Sequence, residues 1–209
     1  MQLLPGKERE RAFSSGTRRN QFHSGRWLLR TMLREHGDSA SAERDIVIGE
    51  HGKPRFENGS AFSIAHAGKR VVCCVGDAGP VGIDFEQADS GRNVAGIADR
   101  FFSADESKWL STQPAEHFFM LWVLKEAWVK AHGLSIFGHL DEPGFRVDPP
   151  LIETTDGGDV DQQALFEMDG AFLAIAAAEA LPAGLQVEQW DAASRSFVAD
   201  ESARLVART

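Results

Sequence analysis

The chain is 209 residues long, with 43% hydrophobic and 25% charged residues, the balance of a folded protein able to bury a core in one large domain or two small ones. Its formal net charge of −9 argues against a nucleic-acid binder, which has to neutralise phosphates over a wide surface. The longest apolar stretch, about residues 171–180, is short and alanine-rich beside the ~20 residues of a membrane span; the N-terminus lacks a signal-peptide core, so a cytoplasmic, non-membrane protein is expected.

Residues 7–36 read as a helix carrying Phe22, Leu28, Leu29, Met32 and Leu33, interrupted by Gly16 and Gly25 and stopped at Gly37. Residues 1–34 hold eight basic side chains against Glu8 and Glu10, which leaves −15 on the remainder. Arg19, Arg26 and Arg30 fall on one helical face. Such a segment suits a small polyanion or an acidic partner, or forms a solvated face with no ligand.

The apolar run Ile46–Ile48, a turn at Gly52-Lys53-Pro54 and two β-type runs, Phe62–Ala65 and Val71–Val75, come next. The adjacent Cys73 and Cys74 point to opposite faces of a strand and read as small buried hydrophobes. Gly79-Pro80 marks the best boundary, dividing the chain into residues 1–79 and 80–209. Beyond it Val81–Glu86 reads as a strand, Ser103-Ala-Asp-Glu106 as a capping box opening a helix to about Leu110, and Ala115–His132 as a longer helix ending at Gly133. The remainder alternates β-type runs (145–147, 164–168, 172–177) with turns, and the tail after Ala192 is expected to end in a short helix. Phe62-Ser-Ile-Ala is faintly echoed by Phe172-Leu-Ala-Ile.

The strand period of two puts Asp84 and Glu86 on one face and Ile83 and Phe85 on the other. Like charges held that close raise each other's pKa, and a hard divalent cation with oxygen ligands relieves them. A solvent-facing strand side is the plainer explanation. In the longer helix, Ala115–His132, Trp122, Glu126 and Lys130 recur every four residues, which is either a surface ion pair or, given the surrounding Val123, Ala127, Trp128 and Val129, a shielded carboxylate in need of a partner. If Glu126 meets Asp84 and Glu86, three carboxylates form half an octahedron suited to magnesium, with Lys130 beside any bound phosphate.

The succession Gly52-Lys53-Pro54, Phe62-Ser-Ile-Ala-His66, Val81-Gly-Ile-Asp-Phe-Glu86, Arg100-Phe-Phe-Ser-Ala-Asp-Glu106 and Trp122-Val-Leu-Lys-Glu-Ala-Trp-Val-Lys130 resembles the phosphopantetheinyl transferases of the larger, single-chain Sfp-like type, over about Lys7 to Val147. The resemblance implies an α+β fold of two similar α/β subdomains with pseudo-twofold symmetry and an active site in the cleft between them. It implies Mg2+ held by Asp84, Glu86 and Glu126, and coenzyme A as donor substrate held by Arg9, Lys53, Ala65 (through its backbone), His66 and Lys130. Glu126, Lys130 and His66 would be the catalytic residues, and Lys125 matches with a less clear role. The partners implied are apo acyl or peptidyl carrier proteins of fatty-acid, polyketide or nonribosomal peptide synthesis, met by a monomer through exposed apolar residues of 103–120. Where the family commonly has Asn-x-Ser-His-Ser, Ser63-Ile-Ala65-His66-Ala67 stands here, which implies weaker coenzyme A binding. A noncatalytic coenzyme A or carrier-binding module and a metal-free structural protein are the competing readings.

Overall fold

The computed structural model describes residues 8, 12–76, 79–89, 91–154, 162–178 and 180–209, the side chains of 136, 137 and 154 excepted. Helix α1 runs Gly16–Glu35, with the Ser15 hydroxyl accepting from the Arg18 amide at its start, and it passes through Gly25 without a break. After the short α2 (Ser39–Ala42) come β1 (Ile46–Ile48), β2 (Pro54–Phe56), β3 (Ala61–Ala67), β4 (Arg70–Gly76) and β5 (Val81–Gln87). Helices α3 (Val94–Phe101), α4 (Ala104–Leu110), α5 (Glu116–His132) and α6 (Ile136–His139) follow. Strands β6 (Phe145–Asp148), β7 (Leu151–Thr154), β8 (Gln162–Met168), β9 (Ala171–Ala177), β10 (Glu188–Asp191), β11 (Ser196–Ala199) and β12 (Arg204–Arg208) complete the chain.

The fold is mixed α+β. Six strands form one sheet in the order β5-β9-β8-β12-β7-β6, antiparallel throughout except where β12 runs parallel to β7. Helix α5 covers one face, where Leu121, Leu124, Ala127 and Ala131 meet Leu165, Phe172, Ala174 and Ala176. On the other face Ile83, Phe85, Phe166 and Leu173 pack against Ala65, Val72 and Cys74 of the β3–β4 hairpin. The far side of that hairpin meets α1 through Leu29, Leu33, Phe62 and Cys73. Strand alternation therefore sends Cys73 and Cys74 into different clusters, and each of two hairpins with seven-residue strands, β3–β4 and β8–β9, carries one long helix.

Several expectations change. Pro54, read as part of a turn, opens β2, and α3 went unpredicted. The expected C-terminal helix is instead the β10–β11 hairpin's second strand followed by β12, because residues 204–208 complete the sheet between β8 and β7, a pairing with residues far away in sequence. The large apolar residues of 103–120 are exposed only in part: Phe118 and Phe119 are buried, and Trp109, Leu110 and Met120 are partly buried against the core. The echo between residues 62–65 and 172–175 links the first strand of one hairpin to the second strand of the other, so it does not join corresponding positions.

The basic helix is also less available than its charge suggested. Arg26 and Arg30 are buried; Arg30 donates to Glu8 at 3.0 Å and to the Ala42 and Arg44 carbonyls, tying α1 to the chain around it. Among the described residues no helix is long and apolar enough to cross a membrane.

Candidate active site

Asp84 reaches the site because β5 and α5 touch backbone to backbone. A Cβ built on Gly82 would lie 1.9 Å from the Ala127 carbonyl oxygen and 2.5 Å from the Ala131 amide nitrogen, so only glycine lets the helix settle this low. Ala127 and Ala131 are the small residues on the matching helix face. With the helix there, Glu126 and Lys130, one turn apart, come over Asp84. The helix stops at Gly133, whose φ of 69° is the left-handed conformation glycine adopts without strain.

The Lys130 ammonium donates to Asp84 Oδ1 and lies 3.0 Å from Glu126 Oε2. Glu86, two residues along the strand, pairs with Arg92 at 3.4 Å. Asp84 is 4% exposed, and its Oδ2 is buried with no hydrogen-bond partner. Burial pushes the Asp84 carboxyl up to about 7; Lys130 opposes the shift and the neighbouring charges of Glu126 and Glu86 add to it. Burial, with Glu126 adding to it, raises Glu86 too, against Arg92. At Lys130 burial disfavours the charge, but Asp84 and Glu126 together outweigh it and hold the ammonium's pKa above the ordinary lysine value. The result is an electronegative cluster one of whose buried oxygens lacks a partner, a donor set of hard oxygens that suits a small divalent cation. Among the described residues no three acidic, histidine or cysteine side chains stand together as a ready-made cage. Lys130 is bonded to both Asp84 and Glu126, and Arg92 pairs with Glu86.

From Lys130 a trench leads toward α1. Its first part, about 310 Å³, is lined by Lys53, Pro54, Ser63, Ile64, Lys130 and Gly133; its second, about 490 Å³, shares Pro54 and Ile64 and adds Arg18, Gln21, Phe22, Arg26 and His66. His66 is exposed on β3. The Ala65 side chain turns away into the core beneath the sheet. Lys53 lies in the trench wall, but its ammonium donates to the Val81 carbonyl at 3.1 Å and the Ala131 carbonyl at 3.0 Å, bracing the start of β5 against the end of α5, and burial lowers its pKa. Ser63 is likewise engaged, its hydroxyl accepting from the Ile83 amide at 3.1 Å. Arg9 lies outside the described residues. A larger cavity of about 960 Å³ opens on the opposite side of β5, beside Phe85 and under the β10–β11 hairpin, away from all of these groups.

Two features escaped the sequence reading. Lys125, beside Glu126, points the other way: fully buried, it pairs with Glu106 at 2.8 Å and donates to the Leu140 and Pro143 carbonyls. Glu106 also accepts from the Ser103 amide and hydroxyl and from the Phe145 amide at 2.9 Å. The capping box was legible; its Glu being the buried anchor for α5 was not, since nothing in residue spacing joins 106 to 125. Arg92 carried no sequence signal at all.

Residues 80–170 match the family model described as the 4'-phosphopantetheinyl transferase superfamily, a span running from β5 to the β8–β9 turn that contains Asp84, Glu86, Glu126 and Lys130. Over that span the chain is similar to the members of that superfamily. It is 47% identical over 94 residues to the 4'-phosphopantetheinyl transferase psf-1 of Bacillus pumilus, covering 40% of this chain and 39% of that one. It is 32% identical over 142 residues to the 4'-phosphopantetheinyl transferase of Bacillus subtilis, covering 64% and 62%. With the 4'-phosphopantetheinyl transferase AcpT of Escherichia coli O157:H7 it shares 34% identity over 136 residues, 62% and 66% of the two chains. The matches to these three transferases thus span between 39% and 66% of their lengths.

Proposed function

We propose that this protein transfers the 4'-phosphopantetheine group of coenzyme A to a serine of an acyl or peptidyl carrier protein, with Mg2+ held by Asp84, Glu86 and Glu126. The observation that carries the reading is the buried, partnerless Oδ2 of Asp84 beside Glu126 and Lys130, with Lys130 lining the trench. A bound divalent ion would supply charge neutralisation on the pyrophosphate.

In this reading the trench, whose first part is lined by both halves, residues 1–79 and 80–209, takes coenzyme A with its nucleotide end toward Arg18, His66 and the N-terminal basic residues, Arg9 included. The backbone at Ala65 and the Lys53 ammonium line its path. Each half supplying one helix over one hairpin supports the pseudo-twofold duplication. The carrier serine Oγ bonds to the β-phosphorus as the P–O bond to the adenylate side breaks. Its proton passes to Glu126, and adenosine 3',5'-bisphosphate leaves with the electron pair. Lys130 and His66 stabilise charge on the departing phosphate. A cytoplasmic monomer acting on carriers of fatty-acid, polyketide or nonribosomal peptide synthesis fits the same reading.

The test is incubation of the protein with a panel of apo carriers, coenzyme A and Mg2+, followed by intact mass. A carrier heavier by one phosphopantetheine group supports the proposal. A protein that binds coenzyme A yet modifies no carrier in the panel refutes the transfer.

A further inference from the structure

The three carboxylates at the site are balanced by two cations of the protein, and these are held very differently. Lys130 bonds to two carboxylates in a buried setting. Among the described residues the one carboxylate Arg92 pairs with is that of Glu86, at 3.4 Å, and both side chains are about a quarter exposed (27% and 28%). A charge-assisted N–H···O contact closes to ~2.7–2.9 Å when it is strong, so this pair is loose. Arg92 also has a second seat: its guanidinium lies 5.0 Å from the Trp122 ring centroid and 5.8 Å from that of Phe118, faces that hold a cation without any carboxylate. Losing Glu86 would therefore not strand its charge.

We infer that Arg92 is a resident counter-cation of Glu86 whose ion pair an arriving divalent ion breaks, leaving the guanidinium on the Trp122–Phe118 shelf over which it already lies, so that this arginine sets the metal concentration at which the site fills. The inference rests on the assignment of Asp84, Glu86 and Glu126 as metal ligands. Two consequences follow from charge alone. An arginine left on the shelf repels the bare metal, and it attracts the same metal's phosphate-bearing complex, so metal and coenzyme A favour each other's binding.

The experiment is calorimetric titration of Mn2+ into the full chain without coenzyme A, for the wild type and for Arg92→Gln, Arg92→Lys and Asp84→Asn. Arg92→Gln is expected to bind about threefold tighter, the scale of one partly exposed ion pair, whereas Arg92→Lys, which keeps the charge, stays within about twofold of wild type. Binding that is unchanged or weaker in Arg92→Gln overturns the inference and leaves the ligand assignment standing. Equal tightening in Arg92→Lys also overturns it, because charge is what is held to compete. Mn2+ binding undiminished by Asp84→Asn, or absent from all four proteins, removes the ligand assignment and the inference with it.

Discussion

Gly82→Ala tests the geometry on which the site depends. The added methyl would lie 1.9 Å from the Ala127 carbonyl oxygen, where Cβ atoms essentially never come within 3.0 Å of a neighbour. Neither atom is the flexible end of a side chain; both β5 and α5 meet here through backbone, so the helix has to withdraw by about 1 Å, and close-packed interiors transmit such a shift rather than absorb it. Overpacking of this kind costs ~1–3 kcal/mol of stability. The functional effect is larger, because Glu126 and Lys130 ride on the displaced turn while Asp84 stays on the strand, and a misplacement of about 1 Å at a reacting site costs on the order of 100-fold in rate. Circular dichroism of Gly82→Ala should show the native helix and strand content with a lowered melting temperature, and the carrier-mass assay a rate down by about two orders of magnitude. Wild-type transfer at an unchanged melting temperature would refute the claim that the β5–α5 approach sets the site.

Asp84 makes stability depend on pH. Its folded-state pKa of about 7 lies above the ordinary 3.8, so between those values the folded state binds the additional proton, and stability falls as pH rises through that window. Metal-free protein should melt at progressively lower temperature from pH 5 to pH 7.5, with Asp84→Asn flattening the trend; thermal scans at fixed ionic strength check this. Saturating Mg2+ should raise the melting temperature at pH 7.5 in the wild type and not in Asp84→Asn, since a ligand of the folded state alone stabilises it. Lys125→Met leaves Glu106 buried at 1% exposure without its cation, which should cost ~3–5 kcal/mol. The pair Lys125→Met with Glu106→Gln should recover part of that in urea denaturation, and a double variant no more stable than the single one would show that the ion pair is not the anchor.

The elements legible in the sequence were those announced by local chemistry. Short β-type runs placed β3, β4, β5, β8 and β9, the Ser103–Glu106 box placed the start of α4, and Gly133 the end of α5. Asp84 and Glu86 on one strand and Glu126 with Lys130 on one helix were equally plain, because a face is a property of the residues on a single element. What joins them was not. The Gly82–Ala127 contact, the Lys53 brace onto Val81 and Ala131, the Lys125–Glu106 anchor and the Arg92 shelf all connect residues distant along the chain. Strand β12 exists only because β7 and β8 leave a place for it, and Arg26 and Arg30 are buried because the hairpin and Glu8 close over α1. Backbone propensity and side-chain periodicity act within a few residues, so they determine which groups an element offers. Packing decides which of those groups meet, because burial and charge pairing are settled only when separate elements come into contact.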